Sequence, residues 1–201
     1  MKTRKLEVSG PDITEIGFGS WAIGGPWEYG WGAVDDGQSI KAIRRALELG
    51  INWIDTAAVY GLGHSEEIVA RAILGKRKDV FLATKCGMVW DERQRVKIHA
   101  SPESILKEID NSLRRLQTDY IDCLMIHGAP SKASLKHEGF HQAVKQLKNE
   151  KKLHFVGVSN HGSTHGRDSA QIAETMEDIL LAAVEDGRFD VILLVYNFMQ
   201  K

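Results

Sequence analysis

The sequence predicts an α/β fold built as a closed parallel barrel, a (β/α)8 or TIM barrel with about six of its eight strand–helix units present. Three observations predict it. First, short and nearly continuous apolar runs alternate with longer amphipathic stretches along the chain. Runs of that kind suit strands buried on both faces of a parallel sheet, and their regular alternation with helices defines the class. Second, Gly17, Gly19 and Gly24-Gly25 follow the first run but no helix follows promptly. The glycine-rich fingerprint of a doubly wound nucleotide-binding sheet therefore fails. Third, notable polar residues sit at the C-terminal ends of several different runs, the end of a barrel where its chemistry is placed.

The elements follow in order. Lys5 to Ile16, with Gly10-Pro11 at its centre, reads as a β-hairpin ahead of the barrel. The predicted strands are Glu15 to Gly19, Asn52 to Asp55, Val80 to Thr84, Tyr120 to Ile126, His154 to Val158 and Asp190 to Val195. Ser39 to Leu49 is helical, with Ile40, Ile43, Ala46 and Leu47 on one face. Ser65 to Leu74 opens with Ser65 as a cap and two glutamates in the first turn. Ser101-Pro102 is a stronger start signal, a capping serine followed by proline at the first helical position. That helix continues through Ile105, Ile109 and Leu113. Phe140 to Leu147 and Thr175 to Val184 complete the set. An eight-stranded barrel typically needs about 250 residues. The 201 residues are therefore expected to form a single barrel domain over 1–201, incomplete at its C-terminal side.

Composition narrows the class. Lys and Arg total 26, Asp and Glu total 27, and the formal net charge is -1. That balance favours neither nucleic acid nor an anionic membrane surface. Cys86 and Cys123 lie apart, so no disulfide scaffold and no metal cluster are expected. The polar N-terminus and the lack of a long apolar run point to a cytoplasmic protein. Oligomeric state has no signal in the sequence.

Four strand ends or their flanks carry candidate chemistry: Asp55, Tyr60 five positions later, Lys85 and His127. Each alone has a plain structural reading as a turn cap, a packed ring, a solvated lysine or a satisfied histidine. Together they would converge on one mouth of a barrel.

These residues carry a resemblance over essentially the whole chain. Gly17-Phe-Gly-Ser-Trp, Asp55-Thr-Ala-x-x-Tyr-Gly, Leu113 through Asp122 and Gly157-Val-Ser-Asn occur in the order found in the aldo-keto reductase family, which the sequence resembles. The resemblance implies a catalytic tetrad of Asp55, Tyr60, Lys85 and His127. It implies reduction of aldehydes or ketones to alcohols, with NADPH as cofactor and Tyr60 as proton donor. The chemistry fits: an unperturbed phenol titrates near about 10, and a neighbouring ammonium is expected to lower it. Asp55 would hold Lys85, and His127 would orient the carbonyl oxygen. Gly19, Ser20, Asp55, Ser159 and Asn160 are the implied cofactor contacts. Trp21, Trp27 and His127 are the implied substrate contacts, with Trp31 nearby. The implied partner is a small-molecule carbonyl compound.

Two positions depart from the family pattern. Leu193 stands where a glutamine often contacts the nicotinamide amide, and Gly128-Ala-Pro follows His127 where many relatives have tryptophan. A different substrate pocket is expected. Two other functions compete. A non-catalytic cofactor-sensing or interaction module would keep the fold without turnover. A proton-abstracting barrel enzyme would use Lys85 and Asp55 and leave Ser159-Asn160 without a purpose.

Overall fold

The computed structural model describes residues 1–99, 101–129, 131–160 and 174–195. The N-terminal hairpin pairs β1 (Thr3–Lys5) with β2 (Asp12–Thr14) in antiparallel register. It docks on the start of the sheet through side chains. The Thr14 amide donates to Asn52 Oδ1, Asn52 Nδ2 donates to the Asp12 carbonyl, and Trp53 Nε1 donates to the Thr14 carbonyl. A Cβ on Gly17 would collide with the Trp53 ring, so the chain can enter β3 (Phe18–Gly19) this closely only with glycine there.

Six parallel strands form one sheet in the order β10-β9-β8-β5-β4-β3, from β3 through β4 (Trp53–Asp55), β5 (Phe81–Cys86), β8 (Ile121–His127), β9 (Leu153–Asn160) and β10 (Val191–Leu194). The main-sheet strands lie in chain order with no reversal. A doubly wound sheet reverses order at its switch point; a barrel does not. All six expected barrel strands are present, and among the described residues five of them are followed by a helix.

The helices are α1 (Asp36–Glu48), α2 (His64–Ala72), α3 (Pro102–Leu116), a short α4 (Lys132–Leu135), α5 (Glu138–Asn149) and α6 (Met176–Asp186). The Ser101 side chain caps α3 as its sequence requires, accepting from the Ser104 amide. Thr175 and Asp178 form a reciprocal capping box at α6. Two starts differ from the sequence reading. α1 begins at Asp36, capped by Asp35, rather than at Ser39. Ser65 does not cap α2, which begins at His64 behind Gly63; its hydroxyl is drawn inward to Ser20 and Thr56 instead. A second antiparallel hairpin, β6 (Met88–Trp90) with β7 (Val96–Ile98), follows β5 and was not anticipated.

Apolar stripes on α3 and α5 pack against the outer faces of β5, β8 and β9, around Ile105, Ile109, Phe140 and Leu147. Ile109 is 1% exposed. Ile109→Ala is expected to cost about 2–5 kcal/mol, read as a lower denaturant midpoint at unchanged slope. No helix among the described residues is long and apolar enough to cross a membrane.

Candidate active site

Side chains alternate across a strand, so residues two apart share a face. Ala83, Cys123, Met125, Phe81 and Phe155 pack together on the concave side. By the same period Lys85 and His127 lie on that side, one layer nearer the C-terminal end. The ladder pairs Asp55 with Ala83, Lys85 with Met125, and His127 with Ser159. Parallel pairing keeps each pair on one face, and this is how four separated segments reach one mouth.

Lys85 is the centre. Its side chain is 1% exposed. Nζ lies 2.7 and 2.8 Å from the two Asp55 carboxylate oxygens, 3.0 Å from the Thr56 carbonyl and 3.1 Å from the Tyr60 hydroxyl. Burial alone would drive the ammonium toward neutrality. The nearby Asp55 charge overturns that and holds its pKa above the ordinary lysine value. The ammonium also lies 4.8 Å from the Tyr60 ring centroid.

Tyr60 is held by backbone geometry. It opens a short 3-10 turn, Tyr60–Gly63, whose Gly61 adopts φ 62°. A Cβ on Gly61 would strike the Gly24 carbonyl. The turn therefore seats directly on the 3-10 segment Trp21–Gly24, and only glycine suits both the backbone angle and the contact. The phenol packs against His127, with ring centroids 5.6 Å apart at 81°. Trp21 and Trp27 lie 6.4 and 6.5 Å from the same ring.

Lys85 does lower the Tyr60 pKa, as expected, but a larger effect outweighs it and the net shift is upward. Desolvation is the larger influence and raises it above the ordinary phenol value. Lys85 opposes, and Asp55 adds to the rise. The physical reason is burial, which strips a phenolate of its hydration, and Asp55 against the same ammonium offsets part of what Lys85 supplies. The phenol thus stays protonated across the neutral range.

The remaining candidates divide by environment. Gly19 is exposed, with open space where a Cβ would stand. Ser20 is fully buried, and its amide and hydroxyl both donate to the Asp55 carbonyl, at 2.9 and 3.0 Å. It fixes the backbone under Asp55. Ser159 and Asn160 are each 8% exposed at the end of β9. Asn160 Nδ2 donates to the Ala129 carbonyl. Leu193 is paired with Ser159 on β10, so an apolar side chain occupies the neighbouring position. Trp21 and Trp31 are 45% and 68% exposed and meet edge to face. Trp27 is more sheltered and stacks edge-on against Tyr29. A cavity of about 250 Å³ adjoins His127, lined in part by Cys86, His99, Ile126 and His137.

Sequence reasoning missed two buried carboxylates behind this cluster. Glu66, fully buried on α2, accepts from Thr84 Oγ1 and Arg115 Nε, both at 2.7 Å. Glu108, 8% exposed on α3, accepts from the Gly87 amide at 3.0 Å. The available signal was position. Glu108 falls on the buried face with Ile105, Ile109 and Ser112, and Glu66 on that with Val69 and Ala70.

Burial raises the Glu108 carboxyl from 4.5 to about 7, against the lowering effects of Gly87, Ser104 and Arg115. Between those values the folded chain keeps a proton that the unfolded chain has released. Stability from this group is fully present below about pH 4.5 and is lost as pH rises through about 7. The loss is on the order of 3 kcal/mol. Denaturation at about pH 5 and about pH 8 should show this slope, and Glu108→Gln should flatten it.

Comparison with known proteins follows the same lines. The sequence model of the Aldo/keto reductase family matches residues 15–185. Aldo-keto reductase YhdN of Bacillus subtilis (strain 168) is 42% identical over 162 residues, 80% of this chain and 47% of that protein. The NADH-specific methylglyoxal reductase of Escherichia coli (strain K12) is 37% identical over 187 residues, 85% of this chain and 56% of its own length. An aldo-keto reductase of Klebsiella pneumoniae solved in complex with NADPH superposes with TM-score 0.62 at 30% identity, covering 80% of this chain and 50% of that one. The chain spans about half the length of the curated relatives it matches.

Proposed function

Because the chain belongs to the aldo/keto reductase family, we propose that it carries the reducing centre of a nicotinamide-dependent oxidoreductase that converts aldehydes or ketones to alcohols. The observation that carries this reading is the contact set of Lys85 Nζ, which joins Asp55 and Tyr60 beside His127.

Carbonyl reduction needs a hydride on carbon and a proton on the developing alkoxide. A bound reduced nicotinamide supplies the hydride. Ser159, paired with His127 across the ladder, and Asn160 next to it offer polar side chains suited to the carboxamide of such a ring. NADPH is the proposed cofactor, in line with its presence in the Klebsiella pneumoniae structure; the Escherichia coli relative named NADH-specific makes NADH the comparison to run.

The protein supplies the rest. His127 orients the carbonyl oxygen toward Tyr60. Tyr60, kept protonated by its dry surroundings, gives its proton to that oxygen as negative charge develops. Lys85 donates to the phenol oxygen and stabilises the phenolate left behind, and Asp55 keeps Lys85 charged and aimed. Trp21 and Trp27 wall the approach to Tyr60 and exclude water there.

The test is consumption of reduced nicotinamide by this chain with a panel of short aldehydes and ketones, run with NADPH and with NADH. Carbonyl-dependent consumption, faster with NADPH, is expected. Consumption that ignores the carbonyl compound would overturn the reading.

A further inference from the structure

The Lys85 ammonium meets Asp55, Thr56 and Tyr60 at hydrogen-bond distance, yet it ends a long flexible side chain of four carbons. Where it lies depends on the strand beneath it. That strand is gripped from the outer side on both flanks of Lys85. One residue before it, Thr84 Oγ1 donates to Glu66 Oε1 at 2.7 Å. Two residues after it, the Gly87 amide donates to Glu108 Oε2 at 3.0 Å.

Both carboxylates are expensive to place there. Glu66 is 0% exposed. A buried ion pair seldom stabilises a fold more than well-packed apolar residues of similar size. Stability alone therefore does not account for Glu66. Its second oxygen accepts from Arg115 Nε at 2.7 Å. Arg115 in turn lies against Gly63, where a Cβ would meet its Cδ at 2.7 Å. Gly63 ends the turn that Tyr60 begins. One buried carboxylate thus links the strand carrying Lys85 to the turn carrying Tyr60, with α3 as the brace.

We infer that Glu66, through Thr84, and Glu108, through Gly87, are positioning residues that set the height of the Lys85 ammonium between Asp55 and Tyr60. This rests on the reducing centre proposed above. Neither glutamate touches the reacting groups; both act through the strand.

The ionisation of Tyr60 reports the distance to Lys85 without needing turnover. The chain is prepared with ring-fluorinated tyrosine, whose phenol titrates lower, and followed by fluorine NMR. The Y60F variant assigns the resonance. Lys85→Met sets the full effect, expected to raise the Tyr60 midpoint by one unit or more, on the order of a charge pair lost at close range. Thr84→Val, matched in shape but without the donor, is expected to raise it by about half a unit. Thr84→Ser, which keeps the donor, is expected to restore the parent midpoint. Glu108→Leu, an apolar replacement on an apolar stripe, is expected to shift it as Thr84→Val does. It also decides the matter if Thr84→Val fails to fold. In turnover, kcat should fall in both variants while KM for the nicotinamide holds.

A folded Thr84→Val or Glu108→Leu with the parent midpoint overturns the inference and leaves the reducing centre standing. A Lys85→Met chain with the parent midpoint overturns the reducing centre itself, and the positioning role with it.

Discussion

Tyr60→Phe should lower carbonyl turnover by about 10²- to 10⁴-fold, the range for loss of a positioned general acid. The hydroxyl is the only atom removed. The ring keeps its place against His127, Trp21 and Trp27, so the wall of the site survives. Binding of the reduced nicotinamide, followed by its fluorescence, should stay within about twofold, since a change under 0.5 kcal/mol is not resolvable as a lost contact. Loss of the hydroxyl still leaves Lys85 with Asp55 and the Thr56 carbonyl as partners, so the fold is not threatened. Full turnover in Tyr60→Phe would remove Tyr60 from the reaction.

Lys85→Met should cost both activity and stability. Asp55 is left with 16% side-chain exposure and without its cation. Breaking one side of a buried pair typically costs about 3–5 kcal/mol, and Met roughly conserves the volume, so the loss is electrostatic. Denaturation at about neutral pH should show it. Double replacement of Asp55 by Asn and Lys85 by Met should recover part of the stability and none of the turnover. A single replacement as stable as the parent would mean that the pair is not closely coupled.

The parts legible in the sequence were those with a strong local rule. Ser101-Pro102 fixed the start of α3, and the apolar runs located every main-sheet strand. The convergence of Asp55, Lys85 and His127 followed from one property, position at a strand's C-terminal end. Other features depended on distances that no local pattern carries. Ser65 looks like a helix cap, but a tertiary partner, Ser20, claims its hydroxyl. The β6–β7 hairpin has arms of three residues, too short for a periodic signal, and turns through Gln94 at φ 61°. The sense of the Tyr60 shift required knowing both its burial and that Asp55 lies against the same ammonium. Glu66 and Glu108 read as surface glutamates of amphipathic helices until their faces are seen to point inward.

In the proposed reaction, hydride and proton meet at a carbonyl held by Tyr60 and His127. The most direct measurement supplies the chain with reduced nicotinamide deuterated at the transferring position, adds an aldehyde, and examines the product by mass spectrometry. The expected product is an alcohol carrying one deuterium on the former carbonyl carbon, formed by the parent chain and all but absent with Tyr60→Phe. An alcohol without deuterium on that carbon, or deuterated alcohol formed equally well by Tyr60→Phe, would contradict it.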